Sequence, residues 1–183
     1  MNTTHSNYPV FKSTTILAIL HNDQLAIGGD GQATMGNMVA KSNVNKIHAL
    51  EHGIFTGFAG SPADAFILLD EFEKKLSEHY DMQRAAIELA KMWRTDRYLR
   101  KLEAMIILCN KQQLLIVSGT GDVLEPDDKI ASIGSGSVYA YSAAKALQKF
   151  AKHLSAEEIV RESLNIAAEK CVYTNNNLVI KTA

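Results

Sequence analysis

Two short apolar runs, Thr14–Leu20 and Gln24–Gly29, are separated by only His21-Asn22-Asp23. Asn-Asp suits a tight turn, so the two runs predict an antiparallel hairpin. Ala104–Cys109 and Leu114–Ser118 repeat the arrangement across Asn110-Lys111-Gln112. Three more short runs stand alone: Ile54–Ala59 before Gly60, Ile130–Ile133 before Gly134, and Asn177–Thr182 near the end. Hairpin links of this length imply antiparallel sheets.

Helical periodicity fills the gaps. Ser61-Pro62-Ala63-Asp64 is a helix start, with Ser as N-cap and Pro at the first helical position. Phe66, Leu69, Phe72 and Leu76 follow at helical spacing. A second helix is predicted over Met82–Leu102, apolar at Ile87, Leu89, Ala90 and Trp93 and charged at Arg94, Asp96, Arg97, Arg100 and Lys101. A third fits Val138–Lys152. Ser155-Ala156-Glu157-Glu158 is a capping box opening a fourth, to about Lys170. Strands, two helices, strands, two helices and a strand make an α+β chain. Helices arriving in pairs place one helical layer on each outer face of two packed sheets.

Composition excludes several classes. The 183 residues suit one domain, with formal net charge −1 and no overall basic field for nucleic acid or acidic membranes. No apolar run approaches the ~20 residues that span a bilayer. The leader Met1–Ser13 has neither the basic start nor the apolar stretch of a secretory signal. Cys109 and Cys171 have no CxxC spacing, so reduced thiols in a cytoplasmic setting are the expectation. The six histidines are scattered, without zinc-site spacing.

Several residues could carry chemistry. Thr14-Thr15 heads the first strand, where β-branched residues are ordinary. A threonine hydroxyl becomes a nucleophile when a base sits beside it, and the free amine of an N-terminal threonine is such a base. Cutting the chain at Ser13–Thr14 would create that group. Gly28-Gly29-Asp30-Gly31 reads as a turn needing positive φ, as an anion nest, or as a turn presenting a carboxylate. Lys46 alone reads as a surface cation. Gly57-Phe58-Ala59-Gly60 at a strand-to-helix corner is either close packing or an oxyanion donor. Gly134-Ser135-Gly136-Ser137 is a flexible loop or a helix-start anion site. Trp93 through Glu103 reads as a helix with a basic face, either solvated or turned to a partner.

Together these stretches resemble the HslV family, bacterial peptidases related to proteasome β subunits. The resemblance runs from Thr14 to about Lys181. It rests on Thr14-Thr15-Ile16, Gly29-Asp30-Gly31-Gln32-Ala33-Thr34, Gly57-Phe58-Ala59-Gly60 with Ala63-Asp64-Ala65-Phe66, and Trp93-Arg94-Thr95-Asp96-Arg97. Leu99 through Met105, Ile133-Gly134-Ser135-Gly136 and Cys171-Val172-Tyr173-Thr174-Asn175 continue it in the family's order. The resemblance implies an N-terminal-nucleophile hydrolase fold, a four-layer αββα sandwich. It also implies a threonine peptidase in a double ring of hexamers, fed with unfolded protein by an ATP-driven unfoldase ring, HslU. ATP would be used by that partner only.

By the same resemblance Thr14 is the nucleophile and Met1–Ser13 a propeptide, with Thr14–Ala183 the peptidase domain. Asp30 lies 16 and Lys46 32 residues after Thr14, the family's spacing. Lys46 is expected to keep the Thr14 amine deprotonated, Asp30 to orient Lys46, Ser135 to relay protons or fix the amine, and the Gly60 N–H to hold the oxyanion. Backbone carbonyls of Ala168, Cys171 and Thr174 are implied as a sodium site.

Three positions depart from the family pattern. Ile47-His48-Ala49 replaces a basic segment, Ala168 replaces a glycine, and the leader is longer than usual. The competing readings are a catalytically silent shell subunit and a small-molecule amidohydrolase on the same fold. The spacing of Thr14, Asp30, Lys46 and Ser135 argues against the first, and the match across Trp93–Met105 against the second.

Overall fold

The hairpin at the head of the chain becomes the middle of a four-stranded sheet. The structure, a computed structural model, describes residues 14–99, 102, 104–118 and 120–183, with Pro62 and Ala63 as backbone only. The leader expectation, Met1–Ser13, lies outside the described residues. Strands β1 (Thr15–His21) and β2 (Gln24–Gly29) pair antiparallel, with Leu17 opposite Gly28 and Ala18 opposite Ile27. Asn22 and Asp23, at φ 50° and 59°, make the turn of left-handed residues that matches strand twist.

β10 (Ile130–Gly134) flanks β1, and β11 (Val179–Thr182) flanks β2. The second sheet runs β5 (Ile47–Ala49), β6 (Phe55–Gly60), β7 (Ala104–Cys109), β8 (Leu114–Ser118) and β9 (Val123–Leu124). A separate hairpin joins β3 (Ala33–Met35), where Thr34 is buried, to the exposed β4 (Met38–Lys41). Every pairing is antiparallel.

Three apolar clusters fill the spaces between four layers. Period-two alternation sends Ile16 and Ala18 of β1 toward the second sheet, where they meet Ile47, Ala59 and Ile107. It sends Leu17 and Ile19 the other way, against helices α3 (Ser137–Phe150) and α4 (Ala156–Lys170). Phe58, Ile106 and Leu108 of the second sheet face helices α1 (Pro62–His79) and α2 (Met82–Thr95), around the fully buried Trp93. β1 is therefore buried on both faces, which is why its sequence is a continuous apolar run rather than an alternating one. The expected αββα sandwich is the observed architecture.

Local differences have local causes. α2 ends at Thr95, not near Leu102, because the Asp96 carboxylate accepts the N–H groups of Tyr98 (2.7 Å) and Leu99 (2.9 Å) and so stabilises a turn instead. The basic face expected beyond that point is not a helix at Asp96–Leu99, and Arg100, Lys101 and Glu103 are outside the described residues. Gly28 and Gly29 lie in β2 rather than in a turn. A Cβ on Gly28 would come 2.7 Å from Val160, and one on Gly29 2.5 Å from Ile16, so both serve close packing. β11 starts at Val179, since Asn177 spends its polar groups on Asn175 and Ser42. The Ser155 capping box forms with both of its bonds.

Gly134 fixes the start of β1. Its φ is +94°, and a Cβ there would lie 2.0 Å from the Thr14 carbonyl oxygen. Gly134→Ala should cost about 1–3 kcal/mol in strain, and more if the Thr14 carbonyl is displaced. Ser155→Ala should cost about 1 kcal/mol through the lost cap. Chemical denaturation of the two variants checks both the size and the order of these losses.

Candidate active site

The site forms where β1 begins, at one end of the gap between the sheets. Asp30 directly follows β2 and is carried back beside Thr15: its N–H donates to the Thr15 carbonyl at 3.2 Å. Its carboxylate is almost wholly buried, with 1% of the residue exposed, and it is fully engaged. Oδ1 accepts the Thr15 N–H at 2.7 Å and the Lys46 ammonium at 2.9 Å. Oδ2 accepts the N–H groups of Gln32 (2.9 Å) and Asn175 (3.4 Å). One carboxylate oxygen therefore bridges the Thr14–Thr15 peptide and a lysine.

Lys46 is not a surface cation. It is buried, and Nζ also donates to the Gln32 carbonyl at 2.7 Å. Burial pushes its pKa below the ordinary lysine value, and the Asp30 charge and hydrogen bond oppose that shift. The net direction is downward, so Lys46 loses its proton more readily than an exposed lysine while its partner holds it in place.

Thr14 is buried, one residue ahead of β1. Its carbonyl oxygen accepts the Ser135 N–H at 2.8 Å and the Ser135 hydroxyl at 3.3 Å. Ser135 thus contacts the Thr14 backbone. Thr15 faces away from the inter-sheet gap: its Oγ1 lies 2.7 Å from the Thr174 hydroxyl and accepts the Gly136 N–H at 3.1 Å. Gly60 ends β6 at φ +134°, a conformation that favours glycine. Its neighbour Ala59 lies against Gly134, where a Cβ would be 3.4 Å from the alanine's own. This brings the end of β6 to the Thr14 carbonyl, beside which Gly134 is packed.

The fold therefore bonds Ser135 to the Thr14 carbonyl, links Lys46 through Asp30 to the Thr15 N–H, and packs Ala59, the neighbour of Gly60, beside Gly134. Ala168 lies in the last turn of α4 and Cys171 caps it. The Thr174 N–H donates to the Cys171 carbonyl at 3.0 Å, turning the chain back after the helix. Carbonyls in the last turn of a helix carry partial negative charge, and Ala168 lies in such a turn, with Cys171 and Thr174 in the chain that follows. Among the described residues there is no cluster of three or more His, Cys, Asp or Glu suited to a metal. Cys109 is no rival nucleophile: it is fully buried, its Sγ points at the Phe55 carbonyl (3.6 Å), and burial pushes its thiol far above the ordinary cysteine value.

Two supporting residues escaped the sequence reading. Gln32 offers its carbonyl to Lys46, while its Nε2 bonds Thr34 Oγ1 (3.1 Å) and the Val172 carbonyl (2.9 Å). Asn175 bonds Gly31, Ser42 and Asp30. The polar run Thr174-Asn175-Asn176-Asn177 was the available signal, since Asn side chains bond nearby backbone in turns.

The Proteasome family, described as proteasome subunit, matches residues 10–183. The chain belongs to this family. Its relatives place it among the HslV peptidases. It is 65% identical over 172 residues to the ATP-dependent protease subunit HslV of Amoebophilus asiaticus, covering 93% of this chain and 96% of the relative. It is 64% identical over 173 residues to the HslV subunit of Cytophaga hutchinsonii, again covering 93% and 96%. Among solved structures, eukaryotic HslV from Trypanosoma brucei superposes with a TM-score of 0.88 at 40% identity, covering 92% of this chain and 98% of that one. The chain is thus a threonine-type peptidase subunit of an ATP-dependent protease, with the proteasome-like fold.

Removing Asp30 strands the buried Lys46 charge and three N–H groups. Asp30→Ala should destabilise the protein by about 3–5 kcal/mol. Asp30→Asn keeps the shape and loses the charge, and should cost less. Equilibrium unfolding measures both, and equal losses would show that the charge contributes little.

Proposed function

We propose that Thr14 is the nucleophile of this peptidase, acting once it is the first residue of the mature chain. The observation that carries the reading is the Asp30 carboxylate joining the Thr14–Thr15 peptide to the buried Lys46 ammonium. In the proposed reaction the Thr14 amine accepts the proton of its own hydroxyl, and Oγ attacks the scissile carbonyl. Lys46 charge beside the amine keeps the amine basic form available at neutral pH, because a nearby like charge lowers an amine pKa. The Gly60 N–H stabilises the tetrahedral oxyanion. Losing one such donor typically costs ~10²–10³ in rate. The amine then returns the proton to the leaving nitrogen, and water hydrolyses the ester on Thr14 Oγ to free the enzyme. Ser135 holds the Thr14 backbone during these steps.

The same attack would release Met1–Ser13. Thr14 Oγ adds to the Ser13 carbonyl, the Ser13–Thr14 C–N bond breaks to leave the leader as an ester on Oγ and the Thr14 amine free, and water then hydrolyses that ester to release Met1–Ser13. While the leader is attached, that nitrogen is an amide with no basic lone pair, so the unprocessed chain is inactive toward substrate.

The subunits assemble as two stacked six-membered rings, with an HslU-like ATP-hydrolysing unfoldase docking on the ends and feeding in unfolded protein. Support for an ATPase partner comes from the relatives, which are named as subunits of an ATP-dependent protease. The carbonyls of Ala168, Cys171 and Thr174 would hold a sodium ion, whose charge would steady the turn that reaches Thr15 through the Thr174 hydroxyl. The setting is the cytoplasm. Among the described residues no helix is long and apolar enough to cross a membrane.

Intact mass and N-terminal sequencing of purified protein, followed by hydrolysis of a fluorogenic peptide, test the reading. The expected result is a Thr14 terminus with activity, and both lost in Thr14→Ala. An active enzyme still starting at Met1 or Asn2 would overturn it.

A further inference from the structure

Asn175 sits at the crossing of three segments that meet behind the Asp30–Lys46 pair. Its side-chain Oδ1 accepts the Gly31 N–H at 3.1 Å and the Asn177 N–H at 3.2 Å. Its Nδ2 donates to the Ser42 carbonyl at 2.9 Å, and its backbone N–H donates to Asp30 Oδ2 at 3.4 Å. The residue therefore touches the Asp30-Gly31 segment after β2, the Ser42 segment that leads to Lys46, and its own turn after α4.

The same knot is closed by packing. The Val44 N–H donates to the Gly31 carbonyl at 2.8 Å. A Cβ on Gly31 would sit 2.6 Å from the Ser42 carbonyl oxygen, so the two backbones are pressed together. Only Asn43, Val44 and Asn45 separate Ser42 from Lys46, whose Nζ must reach both Asp30 and the Gln32 carbonyl. A shift of Ser42 against Gly31 would be passed to Lys46 through that short segment.

We infer that Asn175 is a positioning residue for the peptidase reaction, fixing the Asp30 carboxylate and the chain leading to Lys46 in register with each other. It touches neither substrate nor the reacting atoms. It acts by locking the distance over which Lys46 and Asp30 meet, with one amide serving both an acceptor and a donor role. This inference rests on the reading of Lys46 and Thr14 given above. An aspartate at this position could still accept from Gly31 but could not donate to Ser42, and would set a second carboxylate beside Asp30.

The test is steady-state hydrolysis of a fluorogenic peptide across pH by processed protein carrying Asn175→Ala, Asn175→Asp or Asn177→Ala. The Asn177 side chain also donates to the Ser42 carbonyl, whereas the Asn175 amide ties Ser42 to the Gly31 N–H, so Asn177 controls for general loosening of the turn. Asn175→Ala should lower kcat about tenfold, as expected of a lost fraction of positioning, with KM within twofold. The alkaline limb of its pH profile should move upward as Lys46 becomes better hydrated. Asn175→Asp should move that limb further, since the added carboxylate favours the charged lysine. Asn177→Ala should keep the parental profile.

A parental kcat and pH profile in both Asn175 variants overturns the inference. So does a kcat loss in Asn175→Ala that Asn177→Ala matches. If Asn175→Ala fails to fold, the near-isosteric Asn175→Asp still reports the pH limb. Thr14→Ala and Lys46→Ala run alongside separate the two readings. If both retain activity, the reading of the site itself falls. If both are inactive while the Asn175 variants behave as the parent, only the role of Asn175 falls.

Discussion

A single carboxylate organises this end of the molecule. Asp30 is buried, and a buried anion is costly unless it is paired and hydrogen-bonded. Here both conditions are met, and each partner belongs to a different part of the chain: Thr15 of the first strand, Gln32 of the following segment, Lys46 and Asn175. The desolvation penalty that would otherwise oppose folding is offset only when all four arrive together. The carboxylate thus makes the start of β1, the approach to β5 and the turn after α4 depend on one another.

That dependence explains why two layers of helix and two of sheet are needed for a site built from few side chains. β1 must be held from both faces so that Thr14 and Thr15 do not slide. The inter-sheet cluster around Ile16 and Ile107 holds one face, and the α3–α4 cluster around Leu17 and Ile19 holds the other. A one-residue slip would exchange these faces and withdraw the Thr15 N–H from Asp30. Gly134 then allows β10 to come close enough for Ser135 to reach the Thr14 carbonyl.

The sandwich was legible in the sequence where local signals were strong. The Thr14–Gly29 hairpin, the Ala104–Ser118 hairpin and the Ser155 capping box all follow from short-range chemistry, and all three formed. The end of α2 was not legible, because continuing periodicity through Arg97 and Leu99 hid the competing turn at Asp96. The short β3–β4 hairpin and the short β5 lack a periodic apolar face, so pattern reading passes over them. The site was legible in a different sense. Lys46 alone reads as a surface cation; its spacing from Thr14 within the family resemblance singled it out for a role, and its burial against Asp30 shows only in the fold. Asn175 and Gln32 stand in stretches that carry the resemblance but had no role there, since an Asn in a polar run and a Gln beside a glycine look like ordinary loop residues until the backbones they join are in view.

The peptide unit between Thr14 and Thr15 is gripped at both of its polar ends. Ser135 takes its carbonyl oxygen, and Asp30 takes its N–H. Those grips lie on the side of Thr14 that cleavage at Ser13–Thr14 would retain. A terminus created there would be born in place. Removing the leader would turn one amide nitrogen into an amine while both grips on the Thr14–Thr15 peptide keep the atoms they hold.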